Sequence, residues 1–105
     1  MKIEVLYLAG CPNHPPAVAR VSDILRQEIV SAELVEIEIK DATTAHQLKF
    51  LGSPSIRIDG RDVETAARSS RAFGFVCRTY VDEGKPVGVP PVEWIRAALQ
   101  EAKLG

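Results

Sequence analysis

The sequence predicts an α/β domain: a mixed four-stranded sheet flanked by helices, in the order β-α-β-α-β-β-α, with a long insertion at about 65–90 before the last helix. Three observations carry this. An apolar run from Ile3 to Ala9 suits a buried strand and stops at Gly10, after which Pro15 and Pro16 open an amphipathic helix. Leu34 to Ile39 alternates apolar and acidic residues, the period of an edge strand with one wetter face. Asp59-Gly60, between two short strand-like runs, is a strong hairpin signal.

The first helix is expected from Pro15 to about Val30. Val18, Val21, Leu25 and Ile29 recur at helical spacing, with Arg20, Asp23, Gln27 and Glu28 on other faces. Strand, helix and strand in so short a stretch form a βαβ unit, so the two strands should be parallel. Asp41 or Thr43 caps a second helix that carries Leu48 and Leu51 and ends at Gly52. Ser53-Pro54 leads into a strand over Ser55 to Ile58, and Arg61 to Glu64 returns beside it. The last helix runs from Pro91 to about Lys103, with Val92, Ile95, Leu99 and Ala102 inward; Glu93 and Lys103 suit its dipole. Within the insertion, Phe75 to Val81 has the character of a short extra strand, and a connection of this length usually has a function or structure of its own.

The length of 105 residues fits one domain, and the composition, 46% hydrophobic and 26% charged, is that of a globular protein with its own core. A net charge of -1 gives no electrostatic reason to propose nucleic acid or an anionic membrane as partner. No apolar run approaches the ~20 residues of a membrane helix, and the N-terminus lacks the pattern of a signal peptide. Two cysteines are too few for a disulfide scaffold, so a cytoplasmic protein with reduced thiols is expected.

The chemistry is expected at Cys11. Strand, Cys-Pro turn and helix start place its thiol at the positive end of a helix, a setting that favours the reactive thiolate. The bland alternative is a small buried hydrophobe. His14 is either a helix-start residue facing water or a group that stabilises the Cys11 thiolate and exchanges protons with it. Cys77 stands evenly between a buried strand residue and a resolving thiol or soft-metal ligand. Arg78 and Tyr80 are expected to pack or to be solvated. Arg68 and Arg71 form a solvated face, with a site for an anionic thiol such as glutathione as the minority reading; His46 has no assigned role.

The element order, the Cys-Pro turn after the first strand and the Ser-Pro entering the third resemble the thioredoxin fold over roughly Lys2 to Glu64 and Pro91 to Lys103. Cys11 and the run Gly52-Ser53-Pro54-Ser55-Ile56, followed by Ile58-Asp59-Gly60, carry the likeness. More narrowly, FLGSPSIRIDG, VCRTY and GVPPVEWIRAAL look like small thioredoxin-like bacterial proteins sometimes labelled alkylmercury lyases, although similarity to true organomercurial lyases is not evident. The resemblance implies that Pro54 is cis and lies beside Cys11, and that Pro12, Ser53 and Pro54 contribute to a substrate groove. His14 replaces the family's second motif cysteine, so a dithiol cycle between positions 11 and 14 is impossible. In a thioredoxin-like sheet the insertion emerges at the active edge, so Cys77 is placed to fold back over Cys11. A disulfide there needs Cα atoms within roughly 7 Å.

The leading expectation is a cofactor-free thiol–disulfide oxidoreductase acting on a protein or small-molecule thiol or disulfide. Cys11 is its nucleophile, His14 assists, and Cys77 is a distant resolving cysteine. The alternatives are a soft-metal protein linked to mercury or copper resistance, with Cys11 and Cys77 as metal ligands, and a non-catalytic thioredoxin-like binding module.

Overall fold

The computed structural model describes residues 1–105. The elements run β1 (Lys2–Tyr7), α1 (His14–Gln27), β2 (Glu33–Glu38), α2 (Ala42–Gln47), β3 (Ser55–Ile58) and β4 (Arg61–Asp62). A single 3₁₀ turn (Thr65–Ala67), the hairpin β5 (Tyr80–Asp82) and β6 (Lys85–Val87), and α3 (Val92–Lys103) complete the chain. The mixed four-stranded sheet has the order β2-β1-β3-β4. β1 is central, parallel to β2 and antiparallel to β3, and β3 is antiparallel to β4.

Because successive side chains of a strand point to opposite faces, β1 feeds two cores. Ile3 and Val5 pack with Ala17, Val21 and Ile24 of α1 and with Ile95, Ala98 and Leu99 of α3. Leu6 packs on the other face with Ile39, Ala45 and Phe50. The sheet is therefore covered by α1 and α3 on one side and by the short α2 on the other. No helix is long and apolar enough to cross a membrane.

Several expected elements shift. α1 begins at His14 and ends at Gln27, and its fully buried stripe is Ala17, Val21 and Ile24. The expected stripe lies one residue away and shares Val21; Val18 and Leu25 pack at the margin of the same core. Ile29 lies past the helix end at φ 51° and is 92% exposed. Asp41 caps α2 as expected, its carboxylate accepting the Thr44 N–H at 2.7 Å. That helix nevertheless stops at Gln47, and Lys49 takes φ 56°, which turns Phe50 inward in place of Leu48 or Leu51. The Asp59-Gly60 hairpin forms with both residues at positive φ. Its return strand is only Arg61–Asp62, because the Asp62 side chain accepts the Glu64 N–H at 2.8 Å and bends the chain out of the ladder. The expected strand over Phe75 to Val81 is divided: Tyr80–Asp82 joins the β5–β6 hairpin, and Cys77 pairs separately with Ser53.

Candidate functional site

At the end of β1 the chain turns immediately into α1. The Cys11 N–H donates to the Leu8 carbonyl at 3.1 Å, and the His14 N–H donates to the Cys11 carbonyl at 3.2 Å. Cys11 is held half-buried between the end of the central strand and the start of a 14-residue helix whose first turn contains Pro15 and Pro16. Pro12 beside it is exposed. Asn13, at the helix N-cap, makes no side-chain capping bond and lies against Gly88. A Cβ at position 88 would fall 2.3 Å from the Asn13 amide nitrogen, so a larger residue there would push on the cysteine turn. Arg20 fixes the same neighbouring segment to α1 by donating to the Pro90 carbonyl at 2.8 Å.

Ser53 joins this turn to the insertion. The β1–β3 register places Leu6 opposite Ser55 and continues beyond the strands, where the Leu8 N–H donates to Ser53 Oγ at 2.9 Å. The Ser53–Pro54 peptide bond is cis, and both residues are buried. On its far side Ser53 is bridged in the parallel sense to Cys77. Its N–H donates to the Val76 carbonyl and its carbonyl accepts the Arg78 N–H, both at 3.0 Å. Gly52 makes this close approach possible: it sits at φ 128°, and a Cβ would stand 2.6 Å from the Arg78 Cβ.

Ser53 thus lies between the segments that carry the two cysteines. Both thiols are free, Cys11 half-buried and Cys77 exposed beside the exposed Phe75 and Val76. The His14 ring stacks on Tyr7 with centroids 3.6 Å apart, and its Nε2 meets a Glu36 carboxylate oxygen at 2.6 Å; no hydrogen bond joins it to Cys11. No group of three or more His, Cys, Asp or Glu side chains is arranged to hold a metal ion.

A polar cluster behind Ser53 holds the 76–80 segment in place. Arg78 is only 8% exposed, and its guanidinium forks onto Asp62 at 2.7 and 3.0 Å. It also donates to Glu64 and Ser55 Oγ, both at 2.9 Å, and lies 4.6 Å from the centre of the Tyr80 ring. Burial disfavours its charge, but the Asp62 and Glu64 carboxylates outweigh that cost and hold the group charged above its ordinary range. The buried Tyr80 hydroxyl donates to the Pro54 carbonyl. Arg78 and Tyr80 are therefore not solvated side chains: they tie the insertion to the Ser53-Pro54 corner. Charged Asp62 and Glu64 on either side of apolar Val63 were the available signal, although nothing local names Arg78 as their partner.

Burial raises the ionisation of Tyr80 well above the usual tyrosine range; Arg78 opposes the shift, while Asp62 and Glu64 reinforce it. Below about pH 9, folded and unfolded chains both keep this proton. At higher pH the unfolded chain releases it first, so stability should fall with a slope of about 1.4 kcal/mol per pH unit from this group alone. Urea denaturation of wild type and Tyr80→Phe across the alkaline range tests this. The variant should lack that part of the slope, and identical slopes would contradict it.

Comparison with protein-family models, curated proteins and solved structures finds no match.

Proposed function

We propose that the protein is a thiol–disulfide oxidoreductase of thioredoxin-like architecture, with Cys11 as nucleophile and Cys77 as resolving thiol. One observation carries the reading: Ser53 bonds through its side chain to Leu8, at the root of the Cys11 turn, and through its backbone to residues on either side of Cys77. The segments that carry the two cysteines of the chain therefore both bond to Ser53, the residue that precedes the cis proline.

In this cycle the Cys11 thiolate attacks one sulfur of a disulfide substrate. The substrate S–S bond breaks, one half leaves as a thiolate and is protonated, and the other half remains on Cys11 as a mixed disulfide. Cys77, having lost its proton, attacks the Cys11 sulfur and expels the second substrate thiolate. The substrate gains two electrons and two protons, and the protein becomes a Cys11–Cys77 disulfide, which a dithiol reductant returns to two thiols. The His14 ring is engaged by Glu36 and Tyr7, so its proposed proton exchange with Cys11 requires the ring to leave Glu36. The exposed Pro12, with the backbone at Ser53 and Pro54, is the proposed substrate-contacting surface. The cycle suits a reducing compartment such as the cytoplasm. A soft-metal role would have to rest on the two thiols, because no third ligand joins them.

The test is insulin disulfide reduction with dithiothreitol as electron donor. The reading expects turnover well above the dithiothreitol background, proportional to protein concentration. A rate equal to background would overturn it.

A further inference from the structure

We propose that the groove on the α2 side of β3 and β4 is a binding site for a small, multiply charged oxyanion. The inference does not depend on the thiol chemistry. α2 has only six residues, and a solvent-open cavity of about 540 Å³ lies beside β3 and β4, lined by Arg57 and Asp62 of those strands and by residues 67–71 and Phe73. That volume suits a small molecule.

The charge around the groove is one-sided. Lys49, Arg57, Arg61, Arg68 and Arg71 line it, against Asp62 as the single lining acid, in a chain whose net charge is -1. Asp62 is already neutralised by the Arg78 fork. Glu101, outside the groove, takes both arms of Arg68 at 2.8 and 2.9 Å and meets Arg61 at 3.3 Å. Glu4 lies opposite Arg57 in the β1–β3 register. After these pairings Lys49 and Arg71 have no acidic partner. Arg57 uses only Nη2, donating to the Leu48 and Lys49 carbonyls at 2.7 and 2.8 Å, and its other nitrogens meet no protein acceptor.

Burial lowers the proton affinity of Arg57, with Glu4 and Asp62 opposing. An anion in the groove would relieve that cost, and the hydroxyls of Ser69 and Ser70 on the wall are further donors. Three separated cations with free donors suit a ligand with more than one anionic group, such as a phosphate ester or a polycarboxylate.

The test uses inorganic pyrophosphate and citrate as probes, with affinity read by isothermal calorimetry and location by amide NMR shifts on the full chain. At least one probe should bind below millimolar, moving the amides of Lys49, Arg57, Ser69 and Ser70; preference for pyrophosphate or citrate separates phosphate-bearing from carboxylate-bearing ligands. Lys49→Gln with Arg71→Gln should weaken binding at least about tenfold, since two charge-assisted contacts are lost. Lys85→Gln with Lys103→Gln, removing equal charge elsewhere, should leave it within about twofold. Absence of binding by both probes, shifts elsewhere, or equal losses in the two double variants would overturn the proposal.

Discussion

Cys11→Ser should reduce disulfide-reductase turnover to background, a loss on the order of a thousandfold or more. A serine hydroxyl is not ionised near neutral pH and forms no mixed disulfide, so the first bond of the cycle cannot be made. Cys77→Ser should behave differently. Its first attack remains intact, so one substrate half is released in a burst, a mixed disulfide collects on Cys11, and steady turnover falls at least about tenfold. Intact mass under acid quench reads the adduct directly. Cys11→Ser with full activity would remove the nucleophile from the account, and equal losses in both variants without an adduct would remove Cys77 from the resolving role.

Arg78→Leu should cost about 3–5 kcal/mol of folding stability, the range for breaking a buried ion pair from one side. The loss comes chiefly from what remains: Asp62, only 7% exposed, keeps a carboxylate that has lost a bidentate partner, and Ser55 and Glu64 each lose a donor. Arg78→Leu combined with Asp62→Leu should recover part of the stability, because the stranded charge is gone. Urea denaturation followed by circular dichroism measures both variants. A loss below about 1 kcal/mol in the single variant would contradict a desolvated network and match an exposed pair instead. The same substitution should loosen the pairing of Val76 and Arg78 with Ser53, and so disturb Cys77 without touching either thiol.

The features legible in the sequence were those written in local chemistry. The Asp41 cap, the Asp59-Gly60 turn, the edge strand with Glu36 and Glu38 outward, and the inward face of α3 each depend on residues within a few positions of one another. The resembled fold led to an insertion that returns to the end of the sheet where β3 begins, with Cys77 over Cys11; the partner that the structure gives Cys77 there is Ser53, which the sequence did not name. Packing choices were less legible. A helix of six residues has too few turns for periodicity to decide among Leu48, Phe50 and Leu51, and a left-handed Lys49 decided for Phe50. The β5–β6 hairpin was missed because its turn is Glu83-Gly84, with glutamate at a positive φ of 51° where asparagine or aspartate would have announced it. Arg78 was missed for a different reason: its partners Ser55, Asp62 and Glu64 lie 14 to 23 residues away, and their meeting is a product of the fold.

The central claim is that Cys11 and Cys77 act as one redox pair, and mild oxidation tests it most directly. The reduced protein, freed of reductant, is treated with a small excess of diamide, alkylated under denaturing conditions and measured by intact mass and peptide mapping. The account predicts a monomer that has lost two hydrogens, takes up no label until it is reduced, and yields a peptide joining Cys11 to Cys77. Two thiols that both label after oxidation, or a disulfide formed only between chains, would contradict it.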